Sequence, residues 1–97
     1  MLLNHNEVRL SGVITKFYPA VVTPAQIPIR KFVLEHNSEQ VENGVKRMVR
    51  CKLFCIAIAN KMNDDDLNKT VTITGFLNFN ARHELILHVV KLNYIIS

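Results

Sequence analysis

The pattern of this 97-residue chain predicts an all-β fold, a small closed barrel of five strands. Three observations carry the prediction. Apolar and polar residues alternate with a period of two in several segments, as on strands with one buried face. Prolines and an Asn-Gly pair punctuate those segments at short intervals. Only one stretch, Ala59 to Asn68, suits a helix or turn.

The first strand is expected from Glu7 to Phe17. Val8, Leu10, Gly12 and Ile14 make one face; Glu7, Arg9, Ser11, Val13 and Thr15 make the other. A glycine in mid-strand predicts a bulge or sharp bend. Pro19, Pro24 and Pro28 then mark a loop, because proline lacks the N–H that a central strand needs. The second strand follows from Ile29 to Asn37, with imperfect alternation. The polar segment from Asn37 leads to Asn43-Gly44, a hairpin-turn signal. The third strand runs from Val45 to Ala59, and its length implies strong curvature. Asp64 to Asp66 fall near the start of one turn. In the fourth strand, Thr70 to Asn80, Val71, Ile73, Gly75, Leu77 and Phe79 alternate with threonines, Phe76 and Asn78. A short loop at Ala81-Arg82-His83 leads to the fifth, Glu84 to Ile96, whose pattern slips near Val89-Val90 and predicts another bulge. A glycine inside strand one, a long bent strand three and a minimal connector before strand four fit the OB-fold, a Greek-key barrel. An SH3-like barrel is the nearest competitor. No internal repeat is present, and residues 1–97 are expected to form a single OB-fold domain.

Composition narrows the function. The hydrophobic content of 48% supports a folded core and is high for so small a domain, which points to some burial between subunits. The net charge is +4, and Asp64, Asp65 and Asp66 hold three of the eight acids together. The remaining surface is therefore more basic than the total, and favours an anionic partner. Cys51 and Cys55 stand four apart on a strand, about 13 Å, too far for a disulfide. Both are expected as core thiols of a reducing compartment. With no leader pattern, and with an uncharged stretch from Phe17 to Ile29 that is short and broken by proline, a cytoplasmic protein without membrane contact is expected.

The third strand carries the chemistry. Arg47, Val49, Cys51, Leu53 and Cys55 fall on one face; Lys46, Met48, Arg50, Lys52 and Phe54 fall on the other. Same-face residues repeat about every 6–7 Å, close to the phosphate spacing of an extended polynucleotide. Lys46, Arg50 and Lys52 are thus candidate phosphate contacts, and Phe54 is a candidate for base stacking. Arg47 has the opposite parity, near the hairpin end or a partner protein. Lys16, Arg30 and Lys31 extend the basic track. The plain alternative is solvated charge or a guarded sheet edge. No enzyme, cofactor or metal is expected. His5, His36, His83 and His88 lack zinc spacing, the adjacent aspartates point apart, Ser11 and Ser38 lack a nucleophile context, and the glycines form no phosphate loop.

Leu10-Ser11-Gly12, Thr23 to Pro28, Phe32 to Ser38, Gln40 to Gly44 and Gly75-Phe76-Leu77 together resemble the primosomal replication protein N family of bacteria, related to single-stranded-DNA-binding protein. The resemblance covers nearly the whole chain and is most specific from Ile27 to Ser38. It implies an OB-fold homodimer that binds single-stranded DNA in the replication-restart primosome. It also implies a bridge between a restart helicase and a helicase-loading protein, without enzyme activity. By the same resemblance, the basic face of strands two and three and the loop between strands four and five touch DNA, Arg47 matches a basic hairpin position, and Cys51 matches a core cysteine. Two departures stand out. Arg50 replaces a DNA-stacking tryptophan, and the loop at Arg82-His83 is shortened. The alternative reading is a protein–protein assembly adaptor of OB-fold with weak or vestigial DNA binding.

Overall fold

A computed structural model describes residues 1–59 and 62–95. The described residues form six strands, β1 (Val8–Phe17), β2 (Val21–Val22), β3 (Pro28–Glu42), β4 (Val45–Ile58), β5 (Thr70–Phe79) and β6 (Leu85–Tyr94), with a 3-10 turn at Asp64–Asp66. They hydrogen-bond in the order β1-β5-β6-β4-β3-β2, and β1 also pairs with β3. That last pairing closes β1, β5, β6, β4 and β3 into a ring. The parallel β4–β6 contact, Phe54 to Ile56 beside Ile86 to His88, completes the Greek key. The expected OB-fold is the architecture found, and the short β2 is an added edge on β3.

β1 serves two neighbours in turn. Val8 to Val13 lie against β5, and Val13 to Phe17 against β3. The change of partner occurs close to Gly12, where a Cβ would sit 2.5 Å from the Glu35 carbonyl oxygen. Glycine is therefore required by close backbone approach, while the register shift itself falls at Thr15, between Ile14 and Lys16. The slip expected at Val89-Val90 is also a bulge. Thr74 pairs with Lys91 and Gly75 with Val89, which leaves Val90 as the extra residue.

Several boundaries depart from expectation. β3 continues to Glu42, so the polar run from Asn37 is strand rather than loop, and it turns back at once through Asn43 and Gly44, both with positive φ. The end of the fifth expected strand, at Ile96, and part of the Ala59–Asn68 segment lie outside the described residues.

The core is lined by Ile14, Phe32, Leu34, Cys55, Ala57, Met62, Val71, Ile73 and Leu87. Below it, the 3-10 turn is fixed by a capping box: the Asn63 side chain accepts from the Asp65 N–H, and Asp66 accepts from the Asn63 N–H. Asp66 is almost fully buried. Burial alone would push its carboxyl up, but hydrogen bonds from Asn63, Tyr94 and Lys69 outweigh this and hold it below its ordinary value. At the opposite end of β1, Asn6 places its carboxamide against β5. Its Nδ2 donates to the Leu77 carbonyl at 2.8 Å, and its Oδ1 accepts from the Leu77 N–H at 2.9 Å. Among the described residues, no helix is long and apolar enough to cross a membrane.

Candidate nucleic-acid interface

β3 and β4 pair without interruption from Ile29/Ile58 to Glu42/Val45. Directly opposed residues share a face, so the register assigns every side chain of the hairpin. Lys46, Met48, Arg50, Lys52 and Phe54 lie on one face, as the alternation predicts. Facing them from β3 are Val41, Glu39, Asn37, Glu35 and Val33. The barrel ends near Leu34 and Leu53, and beyond it the hairpin projects as an arm exposed on both sides.

That geometry corrects the cysteine expectation. Cys55 is fully buried, and burial pushes its thiol up to about 12. Cys51 has the same parity but is exposed. It pairs with His36 in the arm, where no second layer lies behind it. His36 instead donates from Nδ1 to the Ser11 carbonyl at 2.6 Å, with Nε2 2.7 Å from the Ser38 hydroxyl, which ties the root of the arm to β1.

The neighbouring strand also brings acids that a one-strand reading cannot see. Lys46 forms an ion pair with Glu39 at 3.6 Å, and Arg47, on the other face, lies 4.0 Å from Glu42. Among the described residues, Arg50 and Lys52 form no ion pair. With Glu35 and Asn37 they border a shallow depression at the root of the arm. They form the cationic part of this face that other side chains leave open.

Lys16 and Lys31 continue the face across the barrel wall. Lys31 Nζ lies 4.4 Å from the centre of the Phe54 ring and 5.3 Å from that of Tyr18, and Lys16 Nζ lies 4.8 Å from Tyr18. The two rings stand 6.4 Å apart at 58°. Tyr18 is absent from the sequence-level candidates. Its signal was the spacing Lys16-x-Tyr18, which places cation and ring together where β1 leaves the barrel.

Arg30, expected on the same track, is turned to the opposite face. Its guanidinium lies 4.4 Å from the Phe17 ring, donates to the Tyr18 carbonyl at 3.1 Å and binds Asp64, with only 17% of the side chain exposed. It clasps the barrel end instead of facing outward. On the far side of β6, Phe76 stacks flat on His88, rings 5.0 Å apart at 5°. Arg82 and His83 sit in a tight loop built on Asn80, whose side-chain oxygen accepts from the Arg82 and Glu84 N–H groups. His83 has a positive φ and meets the Phe79 ring edge-on at 6.2 Å. Among the described residues, no group of three metal-ligating side chains converges.

Comparison with known proteins agrees with this architecture. A family model described as "Another single-strand binding protein family" matches residues 6–91. Replication restart protein PriB of Proteus mirabilis is 34% identical, over 95% of this chain and 95% of its own. Among solved structures, PriB of Ralstonia solanacearum superposes with a TM-score of 0.83 at 20% identity, over 92% of this chain and 96% of that one. The dimeric N-terminal domain of PriB from Thermoanaerobacter tencongensis superposes with a TM-score of 0.69 at 19% identity, over 97% of this chain and 100% of that one. The extent of the family-model match and of the identity to the Proteus mirabilis protein agree: the chain belongs to the replication restart protein PriB family, within the single-strand binding proteins.

Proposed function

We propose that this protein binds single-stranded DNA across the outer face of β3 and β4, as a homodimer, during restart of replication. The observation that carries the reading is the pair Arg50 and Lys52. These two cations share a face with Lys31 and Phe54 and have no ion-pair partner among the described residues. Phosphates would bind at Arg50, Lys52, Lys16 and Lys31, with Phe54 offered to a base and Arg82 and His83 flanking from the β5–β6 loop. Lys46 contributes less because Glu39 already engages it. Arg47 and Arg30 point away from this face. Arginine at position 50 can stack on a base and hold a phosphate at once, so a tryptophan is not required there. The family's replication-restart name and the dimeric PriB relative support the setting, and bridging a restart helicase to a helicase-loading protein is part of the same proposal.

The test is a titration with a single-stranded oligonucleotide at several salt concentrations. Affinity falls as salt rises, because bound phosphates release counterions. Arg50→Ala with Lys52→Ala weakens binding and flattens the salt slope by about 1.4, at roughly 0.7 per phosphate on a single strand. Salt-independent binding, or an unchanged slope in the folded double variant, refutes the assignment.

A second reading has its own support. Val41, Val45 and Met48 are exposed on the arm beside the internally paired Lys46 and Arg47. A tip of this kind suits a protein partner, as an assembly adaptor requires. Absence of oligonucleotide binding would select it.

A further inference from the structure

We infer that Tyr18 and Phe54 form a nucleobase-stacking subsite, which Lys31 covers in the free protein and uncovers when a polynucleotide binds. The inference rests on the single-strand reading above and adds a place and a moving part to it. The two rings lean on one another at 6.4 Å and 58°, so they form a bent aromatic wall. Phe54 is fixed from both sides, paired with Val33 on β3 and with Ile86 on β6, each of them buried.

Ammonium groups lie against this wall. Lys31 Nζ sits over both rings, and Lys16 Nζ lies over Tyr18 from the side of β1. Neither lysine forms an ion pair among the described residues. An ammonium group therefore lies against each of the two rings. A lysine stem is flexible and its ammonium makes stronger, charge-assisted bonds to phosphate than to a ring. When a phosphate arrives, Lys31 can swing to it and leave the ring to the adjoining base. Lys52 lies two residues from Phe54 on the same face, about 6–7 Å away, so the next phosphate has a cation within reach. The ligand class is a polynucleotide with unpaired bases. A duplex keeps its base faces stacked inside and cannot use the wall.

The chain has two tyrosines and no tryptophan, so a Tyr94→Phe background leaves Tyr18 as the only strong intrinsic fluorophore. The probes are an oligothymidylate and an abasic deoxyribose-phosphate strand of equal length. Oligothymidylate is expected to change Tyr18 emission, and the abasic strand is expected to bind without that change. Tyr18→Ala and Phe54→Leu each weaken oligothymidylate binding about tenfold, equivalent to about 1.4 kcal/mol, and leave abasic binding within twofold. Lys31→Met keeps the emission change and lowers the salt slope. Oligothymidylate binding with unaltered Tyr18 emission, and with both ring variants equal to the parent, overturns the subsite while the single-strand reading stands. Failure of the parent protein to bind either strand overturns both.

Discussion

The two halves of the β3–β4 hairpin share one register and one alternation, yet they belong to different environments. Around Phe32, Leu34, Cys55 and Ala57 one face is sealed against the barrel core; from Asn37 and Arg50 outward neither face has a layer behind it. Cys55 and Cys51 make the contrast plain. They are four residues apart, have identical parity, and one is buried while the other faces solvent. Alternation fixes which side chains share a face. It does not say whether anything covers that face.

The contrast can be broken by mutation. The largest effect is expected in the barrel wall itself. Val71→Asp places an unpaired carboxylate in a fully buried position, and loss of the cooperative unfolding transition is the expected result. Leu34→Ala, on the buried half of β3, lowers stability by about 2–5 kcal/mol in denaturant titrations. Asp66→Asn removes charge-assisted hydrogen bonds at the barrel end and lowers stability by about 1.5–3 kcal/mol at neutral pH.

The pH dependence of that third effect has a definite sign. The folded Asp66 carboxyl lies below its ordinary value of 3.8, so its contribution is present above 3.8 and fades as pH falls through the folded value. Wild type and Asp66→Asn should therefore converge in strongly acidic solution. A constant difference between them across the acid range would contradict the assignment.

The smallest effect belongs to the arm. Met48→Ala changes stability by less than about 0.5 kcal/mol, because its side chain has no packed surroundings to lose. In the same molecule, a thiol reagent should label Cys51 in the native state and reach Cys55 only after unfolding. Equal labelling of both thiols would remove the distinction between body and arm.

Most of the barrel was legible in the sequence because local rules specify it. Val8 to Ile14 and Val71 to Phe79 alternate cleanly, Asn43-Gly44 demands a tight reversal, and the broken pattern at Val89-Val90 is the bulge facing Gly75. The length of β3 was not legible. Asn37 to Gln40 are polar on both parities, which looks like a loop but also describes a ribbon wet on both sides. The outward set Lys46, Arg50, Lys52 and Phe54 followed from parity. The ion pairs of Lys46 and Arg47, the inward turn of Arg30 and the covering of Tyr18 and Phe54 by Lys31 did not. Each depends on which residue of another segment lies opposite, and a single strand's pattern carries no record of that.

Asn6 has a consequence for how the molecule behaves in a crowded solution. Where the β1 ladder on β5 ends at Val8 and Gly75, the carboxamide of Asn6 takes both hydrogen-bonding positions of Leu77. A foreign segment seeking to extend the sheet at this point finds no vacant donor or acceptor on that residue. One amide side chain thus closes this point of the β5 edge to another strand.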